Sequence, residues 1–290
     1  MNILVTGANG QLGSEIRALV ANYKDFNFFF KDLPELNICN ADELNTFILK
    51  QSVNAVINCA AYTAVDQAEE NPEIAEQVNA KGVLNLVNAL KKVNGKLIHI
   101  STDYVFDGNS FMPYHELDEV NPIGVYGNTK RSGELAVLNS GIDAIVIRTS
   151  WLYSVYGNNF VKTILKLGHE KDEIGVIFDQ VGSPTNASDL AKTSLDILFD
   201  NSLKNISIKG KVYHYSNEGV ISWYDFAVAI MELGKVACKV KPIETKDYPS
   251  SAKRPHFSVL NKTKIKTDFD IEIPYWRDSL KKCIKRLNSK

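Results

Sequence analysis

Three glycines near the N-terminus constrain the fold of this 290-residue chain more than any other feature. Gly7, Gly10 and Gly13 follow an apolar run at residues 2–6 and open a stretch with helical spacing at residues 11–23. In a strand–turn–helix unit, the first glycine permits the tight turn, the second lets the backbone approach a pyrophosphate, and the third lets helix and strand pack closely. The spacing therefore predicts that the helix N-terminus binds a dinucleotide.

The first half of the chain alternates short apolar runs with amphipathic segments. Strand-like runs follow at residues 27–30, 54–61, 96–101 and 143–148, and segments with helical spacing lie at 41–51, 72–93 and from about 122 to 138. Strands that are apolar on both faces and alternate with helices are typical of a parallel sheet covered on both sides. The pattern predicts an α/β fold with a Rossmann-like, doubly wound parallel sheet.

The second half of the chain has a different rhythm. After about Thr149 the segments are shorter and richer in turns, with small strand-like runs at residues 211–215 and 238–243. We predict an NAD(P)-binding domain at residues 1–150 and a smaller α/β substrate lobe at residues 151–290. The boundary is not sharp, and the prediction includes the alternative that the chain crosses back to complete the sheet.

Composition and charge exclude several classes of protein. Hydrophobic residues make up 44% of the chain, and 33 basic and 34 acidic residues leave a net charge of -1. A nucleic-acid-binding protein usually shows a basic excess, and no apolar run approaches the roughly 18 residues of a membrane span. The N-terminus lacks the basic region of a signal peptide, and four scattered cysteines are typical of free thiols. We expect a cytoplasmic protein without nucleic-acid or membrane partners.

Two charged residues at the end of the second predicted strand bear on the choice of cofactor. Asp32 stands where a carboxylate would accept hydrogen bonds from the adenosine ribose, which favours NADH. Its neighbour Lys31 would instead meet the 2′-phosphate of NADPH. The sequence leaves both cofactors open.

Tyr126 and Lys130 form a Y-x-x-x-K pair in a predicted helix. With 12 tyrosines in the chain, chance alone predicts about one such pair, so its context decides. Residues four apart share a helix face, and an ammonium within about 4–6 Å lowers the pKa of a phenol, which is ordinarily near 10. We therefore predict that Lys130 makes Tyr126 acidic enough to donate a proton at neutral pH.

Hydroxyl and amide side chains accompany this pair. Ser101 and Thr102 follow the strand at residues 96–101, and ligands of open parallel sheets bind beyond the carboxyl ends of strands. We predict that one of these two hydroxyls holds a substrate carbonyl and hydrogen-bonds the Tyr126 oxygen. Asn79 has two interpretations, an ordering role behind Lys130 or an ordinary surface position on a helix.

Several segments together resemble the extended short-chain dehydrogenase/reductases, and within them the dTDP-4-dehydrorhamnose reductases: TGANGQLG, NCAAYTAVDQAE, STDYVFDG, NPIGVYGNTKRSGE and RTSWLY. The similarity covers nearly the whole chain, including GSPTNASDLA and SAKRP. It implies NAD(P)H-dependent reduction of the C4 ketone of dTDP-4-dehydro-L-rhamnose to dTDP-L-rhamnose, for rhamnose-containing polysaccharides.

The resemblance also implies roles for individual residues. Tyr126 would be the proton donor, with Lys130 and Thr102 as its catalytic partners. The residues implied in cofactor binding are Gly7, Gly10, Gln11, Leu12, Gly13, Asp32, Asn37, Ile38, Ala61, Tyr62, Thr63, Tyr126 and Lys130, where Asn37 replaces an acid common in the family.

Substrate binding is implied for a second set of residues. Thr102, Asp103 and Trp151 would contact the sugar nucleotide, and the Arg254 guanidinium would clamp its diphosphate in a bidentate manner. Weaker candidates are Val65, Asp66, Asn159, Phe160 and residues 180–184.

A catalytic metal is not predicted, because the five histidines show no ligand spacing. Some family members are described as magnesium-linked dimers, and Glu15 matches an acidic position on the first helix. Mg²⁺ and a homodimer are therefore secondary expectations.

Two other functions compete with the reductase. One is another nucleotide-sugar reductase or epimerase of the same superfamily, and an epimerase would hold NAD without exchange. The other is a non-catalytic NAD(P)-binding regulatory subunit, like one that serves methionine adenosyltransferase. The presence of Thr102, Tyr126 and Lys130 together favours an enzyme.

Overall fold

The computed structural model describes residues 1–199 and 209–289. A parallel sheet of six strands forms its centre, in the order β2-β1-β3-β4-β5-β10. These strands are β1 (Asn2–Thr6), β2 (Asn27–Lys31), β3 (Ala55–Asn58), β4 (Lys96–Thr102), β5 (Asp143–Thr149) and β10 (Lys211–Tyr215). The sheet confirms the predicted α/β, Rossmann-like fold class.

Helices cover both faces of this sheet. They are α1 (Gln11–Leu19), α2 (Ala41–Lys50), α3 (Val65–Glu70), α4 (Pro72–Glu76), α5 (Gly82–Lys91), α6 (Val125–Leu138), α8 (Ala187–Phe199) and α10 (Thr263–Phe269). Ile3 and Leu4 show why both faces need covering. They are neighbours on β1, yet both are fully buried, in two separate core clusters. Ile3 packs with residues of α1, α8 and α10, and Leu4 packs with residues of α2, α5 and α6.

The chain crosses back into the sheet after its midpoint. Strand β10 pairs with β5 in parallel register, with Lys211 opposite Ile145. Helix α8 packs against α1, and both helices cover the face of the sheet on which Ile3 lies. The sheet layer therefore includes parts of residues 151–290, the range predicted as the substrate lobe.

The remaining elements form a smaller lobe beside the carboxyl edge of the sheet. They are β6 (Leu152–Tyr153), α7 (Phe160–Glu170), β7 (Glu173–Ile177), β8 (Val181–Gly182), β9 (Thr185–Asn186), β11 (Ile221–Ser222), α9 (Trp223–Gly234), β12 (Lys239–Ile243) and α11 (Trp276–Leu287). Phe226, Ile230 and Trp276 lie in its apolar core. Its strands form three two-stranded sheets: β6 with β9, β7 with β12, and β8 with β11.

Two predicted boundaries are wrong in detail, and one predicted helix is interrupted. Strand β3 ends at Asn58, not at residue 61, and the following residues line a cavity. Helix α6 begins at Val125, because Gly124 before it is extended. The helix predicted at residues 72–93 contains a π-helical turn at Gln77–Lys81, a feature that often marks functional sites. In the parts of the chain that are described, no helix is long and apolar enough to cross a membrane.

Candidate active site

A cavity of about 930 Å³ opens at the carboxyl ends of the sheet strands. Its wall includes Thr6 at the end of β1, Thr102 at the end of β4 and Thr149 at the end of β5. Most of the predicted site residues line it: Gly7, Gly10, Gln11, Leu12, Asp32, Asn37, Ile38, Ala61, Tyr62, Thr63, Thr102, Asp103, Tyr126, Lys130 and Trp151. The fold thus gathers residues that are up to 144 positions apart (151 - 7) around one space.

The glycine turn shapes one end of this cavity. Gly7 has φ of +61°, and a Cβ there would lie 2.6 Å from the Ala60 nitrogen. Gly13 does not line the cavity, but a Cβ on it would lie 2.5 Å from the Gly7 carbonyl oxygen, so it allows α1 to pack against the turn. Gly10 is the N-cap of α1, and no side chain caps this helix. The first-turn N–H groups of α1 are therefore suited to an anion such as a pyrophosphate.

Asp32, the residue after β2, is hydrogen-bonded to backbone N–H groups. Asp32 accepts hydrogen bonds from the N–H of Asn9 to Oδ2 and of Leu33 to Oδ1, both at 2.9 Å. These bonds hold the carboxylate at the cavity wall. Lys31 Nζ lies 3.7 Å from Glu35 Oε1, so its charge is opposed by a carboxylate one turn away.

Asn37 and Ile38 line the same end of the cavity. The Asn37 side chain accepts a hydrogen bond from the Cys39 N–H at 2.9 Å and so fixes a local turn. Ile38 is buried and belongs to the core. The adenine contact implied for these two residues stays a prediction.

Lys130 and Tyr126 share the cavity-facing side of α6. Lys130 is 2% exposed, and its Nζ donates to the Ile100 carbonyl at 2.6 Å. Burial lowers the pKa of Lys130 to about 8, against the opposing effect of Glu134. The half-buried Tyr126 has a pKa raised to about 12 by burial, although a hydrogen bond with Thr102 acts the other way.

This result corrects the prediction for Tyr126. We expected Lys130 to lower the pKa of the phenol, but desolvation dominates and the pKa is raised instead. The Lys130 ammonium is bound to a backbone carbonyl of β4. The phenol is therefore held in its protonated form at neutral pH.

Thr102 and Asp103 form a small polar group beside Tyr126. Thr102 Oγ1 donates to Asp103 Oδ1 at 3.0 Å and accepts from the Tyr104 N–H at 3.2 Å. Asp103 is 3% exposed, and its Oδ2 has no hydrogen-bond partner among the described residues. Burial raises the pKa of Asp103 to about 6. A buried carboxylate oxygen without a partner at a cavity wall is suited to a ligand hydroxyl.

Asn79 is fully buried in the π-helical turn, so its interpretation as a surface residue is wrong. Its side chain has an ordering role, which acts on the backbone of Tyr62. Its Oδ1 accepts from the Tyr62 N–H at 2.8 Å, and its Nδ2 donates to the Tyr62 carbonyl and to Thr129 Oγ1, both at 3.1 Å. The amide thus fastens the loop at residues 61–63 to α6. It sets the position of Tyr62 in the cavity wall.

Two aromatic side chains close the other end of the cavity. Trp151, with φ of +48°, stacks on Trp223 at a centroid distance of 3.6 Å. Tyr104 also lines the cavity, and its ring lies edge-on to that of Tyr126 at 5.4 Å. Trp223 and Tyr104 were not predicted from the sequence as site residues. Tyr104 lies inside the STDYVFDG segment, which was a usable signal, whereas nothing in the local sequence around Trp223 places it opposite Trp151.

Only some of the weaker candidates line the cavity. Asn159 lines the cavity and donates to Gln11 Oε1 at 3.0 Å, but Phe160 and residues 180–184 do not line it. Arg254 also lies outside the cavity lining, in an ion pair with Asp66 at 2.6 Å.

The surroundings of Glu15 do not fit a magnesium ion. Glu15 is 1% exposed and accepts hydrogen bonds from Ser154 Oγ at 2.7 Å and from Arg286 Nη1 at 3.0 and 2.9 Å. A cation of the same chain thus neutralises this carboxylate. Within residues 1–199 and 209–289, no group of three or more His, Cys, Asp or Glu side chains could hold a metal. The expectation of magnesium at Glu15 is therefore not supported. The expectation of a magnesium-linked dimer depended on that ion and is not supported either.

Known proteins of one family are similar to this chain over nearly its whole length. The family described as RmlD substrate binding domain matches residues 1–289. A dTDP-4-dehydrorhamnose reductase of Aggregatibacter actinomycetemcomitans is 41% identical over 286 residues, which cover 96% of this chain and 97% of that protein.

Solved structures lead to the same family. A dTDP-4-dehydrorhamnose reductase from Clostridium acetobutylicum matches at 43% identity with a TM-score of 0.92, covering 99% of this chain and 100% of that one. Another, from Bacillus anthracis in complex with NADP, matches at 36% identity with a TM-score of 0.91, covering 98% and 99%. A UDP-glucuronic acid 4-epimerase from Bacillus cereus, at 19% identity, shares the fold alone. The resemblance read from the sequence is confirmed: the chain belongs to the dTDP-4-dehydrorhamnose reductase family.

Proposed function

We propose that this protein uses NAD(P)H to reduce the C4 ketone of dTDP-4-dehydro-L-rhamnose, giving dTDP-L-rhamnose for rhamnose-containing polysaccharides. One observation carries the proposal: the glycine turn and the Thr102–Tyr126–Lys130 group line the same cavity. A dinucleotide site with a proton donor at its far end is what a ketone reductase needs. The four free thiols suit a reducing compartment, so we place the enzyme in the cytoplasm.

Two groups of residues around the cavity would hold the two halves of the cofactor. The first turn of α1 would bind the pyrophosphate, and Asp32 would accept hydrogen bonds from the adenosine ribose. Ala61, Tyr62 and Thr63 would flank the nicotinamide half, on a loop that Asn79 fixes. When bound, the reduced nicotinamide supplies the hydride for C4.

Tyr126 then supplies the proton. A phenol with a pKa of about 12 is fully protonated at neutral pH, as a donor must be. An alkoxide oxygen forming at C4 is more basic than this phenol, so proton transfer to it is favourable. The hydroxyl of Thr102 would turn its one proton from Asp103 Oδ1 to the same oxygen and so orient it.

Lys130 would position this donor and the cofactor. Its ammonium is buried and bound to the Ile100 carbonyl, which fixes it beneath the cavity. From there it would contact the nicotinamide ribose. Asp103, with its unpartnered Oδ2, would accept a hydrogen bond from a sugar hydroxyl.

The related structure from Bacillus anthracis holds NADP, so we propose that this protein accepts NADPH and that Asp32 also admits NADH. Asp32 would face the adenosine ribose, and Glu35 opposes the charge of Lys31, the residue that would otherwise attract a 2′-phosphate. A carboxylate at this position favours the free ribose hydroxyl.

The direct test is to supply the purified protein with dTDP-4-dehydro-6-deoxy-L-sugar and either NADH or NADPH. We expect consumption of the reduced cofactor and a rhamnose product, and NMR distinguishes this product from the 6-deoxytalose epimer. An epimerase would interconvert dTDP-sugars without consuming added cofactor and would retain NAD during purification. A non-catalytic subunit would bind the cofactor and leave the ketone unchanged, and either result would contradict the proposal.

A further inference from the structure

The carboxylate of Asp66 gathers a loop from the far end of the chain. Its Oδ1 accepts hydrogen bonds from the hydroxyls of Ser250 at 2.9 Å and Ser251 at 3.2 Å, and from the N–H of Ala252 at 3.1 Å. Its Oδ2 accepts from Arg254 Nη2 at 2.6 Å. We call residues 248–254 the strap. One side chain at the start of α3 thus binds four residues of the strap, across 184 to 188 positions of sequence.

Both ends of the strap are anchored in the smaller lobe. Before the strap, the Thr245 N–H and hydroxyl donate to Asp179 Oδ1 at 2.9 and 2.6 Å. After it, the Val181 N–H donates to the His256 carbonyl at 2.7 Å, and the Ser258 N–H donates to the Val181 carbonyl at 2.8 Å. The strap therefore spans from the smaller lobe to α3, and Asp66 receives it there.

The contact between Asp66 and the strap borders the substrate end of the cavity. Val65, next to Asp66, and Tyr104 both line the cavity. Arg254 lies close enough to Tyr104 for the charge on either group to shift the pKa of the other. Tyr104 in turn packs edge-on against Tyr126. Arg254 is thus one side chain away from the proton donor, although it does not itself line the cavity.

The ion pair leaves Arg254 able to bind a second anion. A guanidinium carries five N–H donors. Nη2 donates to Asp66 Oδ2, and Nη1 donates to Asp66 Oδ1 at 3.4 Å and to Ser250 Oγ, which leaves two N–H donors for a ligand. The Arg254 side chain is 23% exposed, so part of it remains accessible. Burial raises the pKa of Asp66, but the hydrogen bonds from Arg254, Ala252 and Ser250 outweigh it and lower the pKa to about 2. The pair is therefore charged throughout the physiological range.

We propose that Asp66 is a positioning residue for the sugar nucleotide, because it folds the strap in advance and holds Arg254 toward the diphosphate. This inference rests on the proposed function and on the role predicted for Arg254 from the sequence, the binding of the diphosphate of a dTDP-sugar. Without Asp66, the ligand itself would have to order the strap and Arg254. The conformational entropy lost in that ordering would make binding weaker.

The test is a double-mutant cycle between Asp66 and Arg254. We would measure dTDP affinity by calorimetry at saturating NADPH, together with KM and kcat for the ketosugar, in Asp66→Ala, Arg254→Ala and the double variant. Charge-assisted hydrogen bonds predict a roughly 10-fold loss of dTDP affinity in Asp66→Ala. We expect a parallel rise of KM, while kcat and NADPH affinity change by less than about threefold.

Replacing Asp66 in the Arg254→Ala variant distinguishes a positioning role of Asp66 from a merely structural one. If Asp66 acts through Arg254, replacing it in that background lowers dTDP affinity by less than about twofold. Asp66→Asn keeps an acceptor for the strap but loses the charge, so we expect an intermediate affinity, and it replaces Asp66→Ala if the latter does not fold. Glu232→Ala is the matched control, because Glu232 pairs with Arg277 on the surface at 2.7 Å.

An equal loss of dTDP affinity in both backgrounds, or no loss in Asp66→Ala and Asp66→Asn, would overturn the inference. Its failure is distinct from failure of the proposed function. If the cycle gives the expected coupling but the wild type does not reduce the ketosugar, the proposed reaction is wrong and the positioning role stands. If the wild type reduces the ketosugar but the cycle shows no coupling, the positioning role alone is wrong.

Discussion

The two ends of the cavity are built in different ways. The cofactor end depends on backbone conformation within a short stretch, where Gly7 and Gly13 allow α1 to begin against β1. The substrate end depends on side chains that meet from distant parts of the sequence, such as Trp151 with Trp223 and Asp66 with Arg254. A local arrangement of this kind can be recognised in a sequence, whereas the substrate end is defined only once the chain has folded.

Tyr126 lies between these two ends, and its replacement should abolish the reaction while leaving both ends intact. We expect Tyr126→Phe to lower kcat by at least ~100-fold, the usual contribution of a general acid. NADH and dTDP affinities should change by less than about twofold. Single-turnover kinetics and calorimetry check both expectations. If Tyr126→Phe keeps wild-type turnover, the proton comes from another group.

A second prediction concerns Asp103, whose properties depend on burial at the substrate end. Its folded pKa of about 6 lies above the ordinary value near 3.8, so the folded state binds the proton more tightly than the unfolded state. The free energy of unfolding should therefore fall as the pH rises from about 4 to about 6, and the loss should persist above that range.

Asp103→Asn removes this titration. The wild type should lose on the order of 2 kcal/mol of unfolding free energy from pH 4 to pH 7 that the variant does not lose, because each pKa unit corresponds to about 1.4 kcal/mol. Urea unfolding of both proteins at the two pH values measures the difference. If the unfolding free energies of the two proteins differ by the same amount at both pH values, Asp103 titrates normally in the folded protein.

A third prediction tests whether the cofactor end depends on the backbone. Gly7→Ala would place a Cβ 2.6 Å from the Ala60 nitrogen at a φ of +61°. We expect roughly 10-fold weaker NADH binding, since a positive φ costs about 1–2 kcal/mol in an L-residue and the turn must shift. Affinity for dTDP should stay within about twofold.

Gly141→Ala is the matched control for backbone strain. Gly141 has φ of +74°, but a Cβ there meets nothing within 4 Å. It should lose stability through the same conformational strain, yet bind NADH like the wild type, as fluorescence titration would show. Equal losses of NADH affinity in the two variants would mean that the turn has no specific role.

The smallest expected effect is on the choice of cofactor. Asp32→Ala removes the carboxylate that would accept hydrogen bonds from the ribose. We expect the ratio of kcat/KM for NADH over NADPH to fall by about fivefold, close to the ~1 kcal/mol of a typical hydrogen bond. Steady-state kinetics with both cofactors measures the ratio. An unchanged ratio would remove Asp32 from cofactor selection.

Much of the fold could be predicted from the sequence because its signals are local. The glycine turn and the doubly apolar strands of the sheet are readable from spacing alone. The π-helical turn at Gln77–Lys81 and the end of β3 at Asn58 were missed, because apolar residues continue through both segments.

The candidate site was predictable in its membership but not in its electrostatics. The sequence places Tyr126 four residues before Lys130, and the pKa of the phenol depends instead on how deeply α6 and β4 bury it. Likewise, no local pattern reveals that Arg286 would occupy the Glu15 carboxylate, since 271 positions separate them. Such pairs are determined by packing between the lobes.

The most direct test of the whole account is a crystal structure with NADH and a dTDP-sugar bound. It should place the hydroxyls of Tyr126 and Thr102 within hydrogen-bond distance of the C4 oxygen. The diphosphate should contact Arg254, which stays paired with Asp66. A Tyr126 hydroxyl turned away from the nicotinamide, with no space for a hexulose between them, would contradict the account.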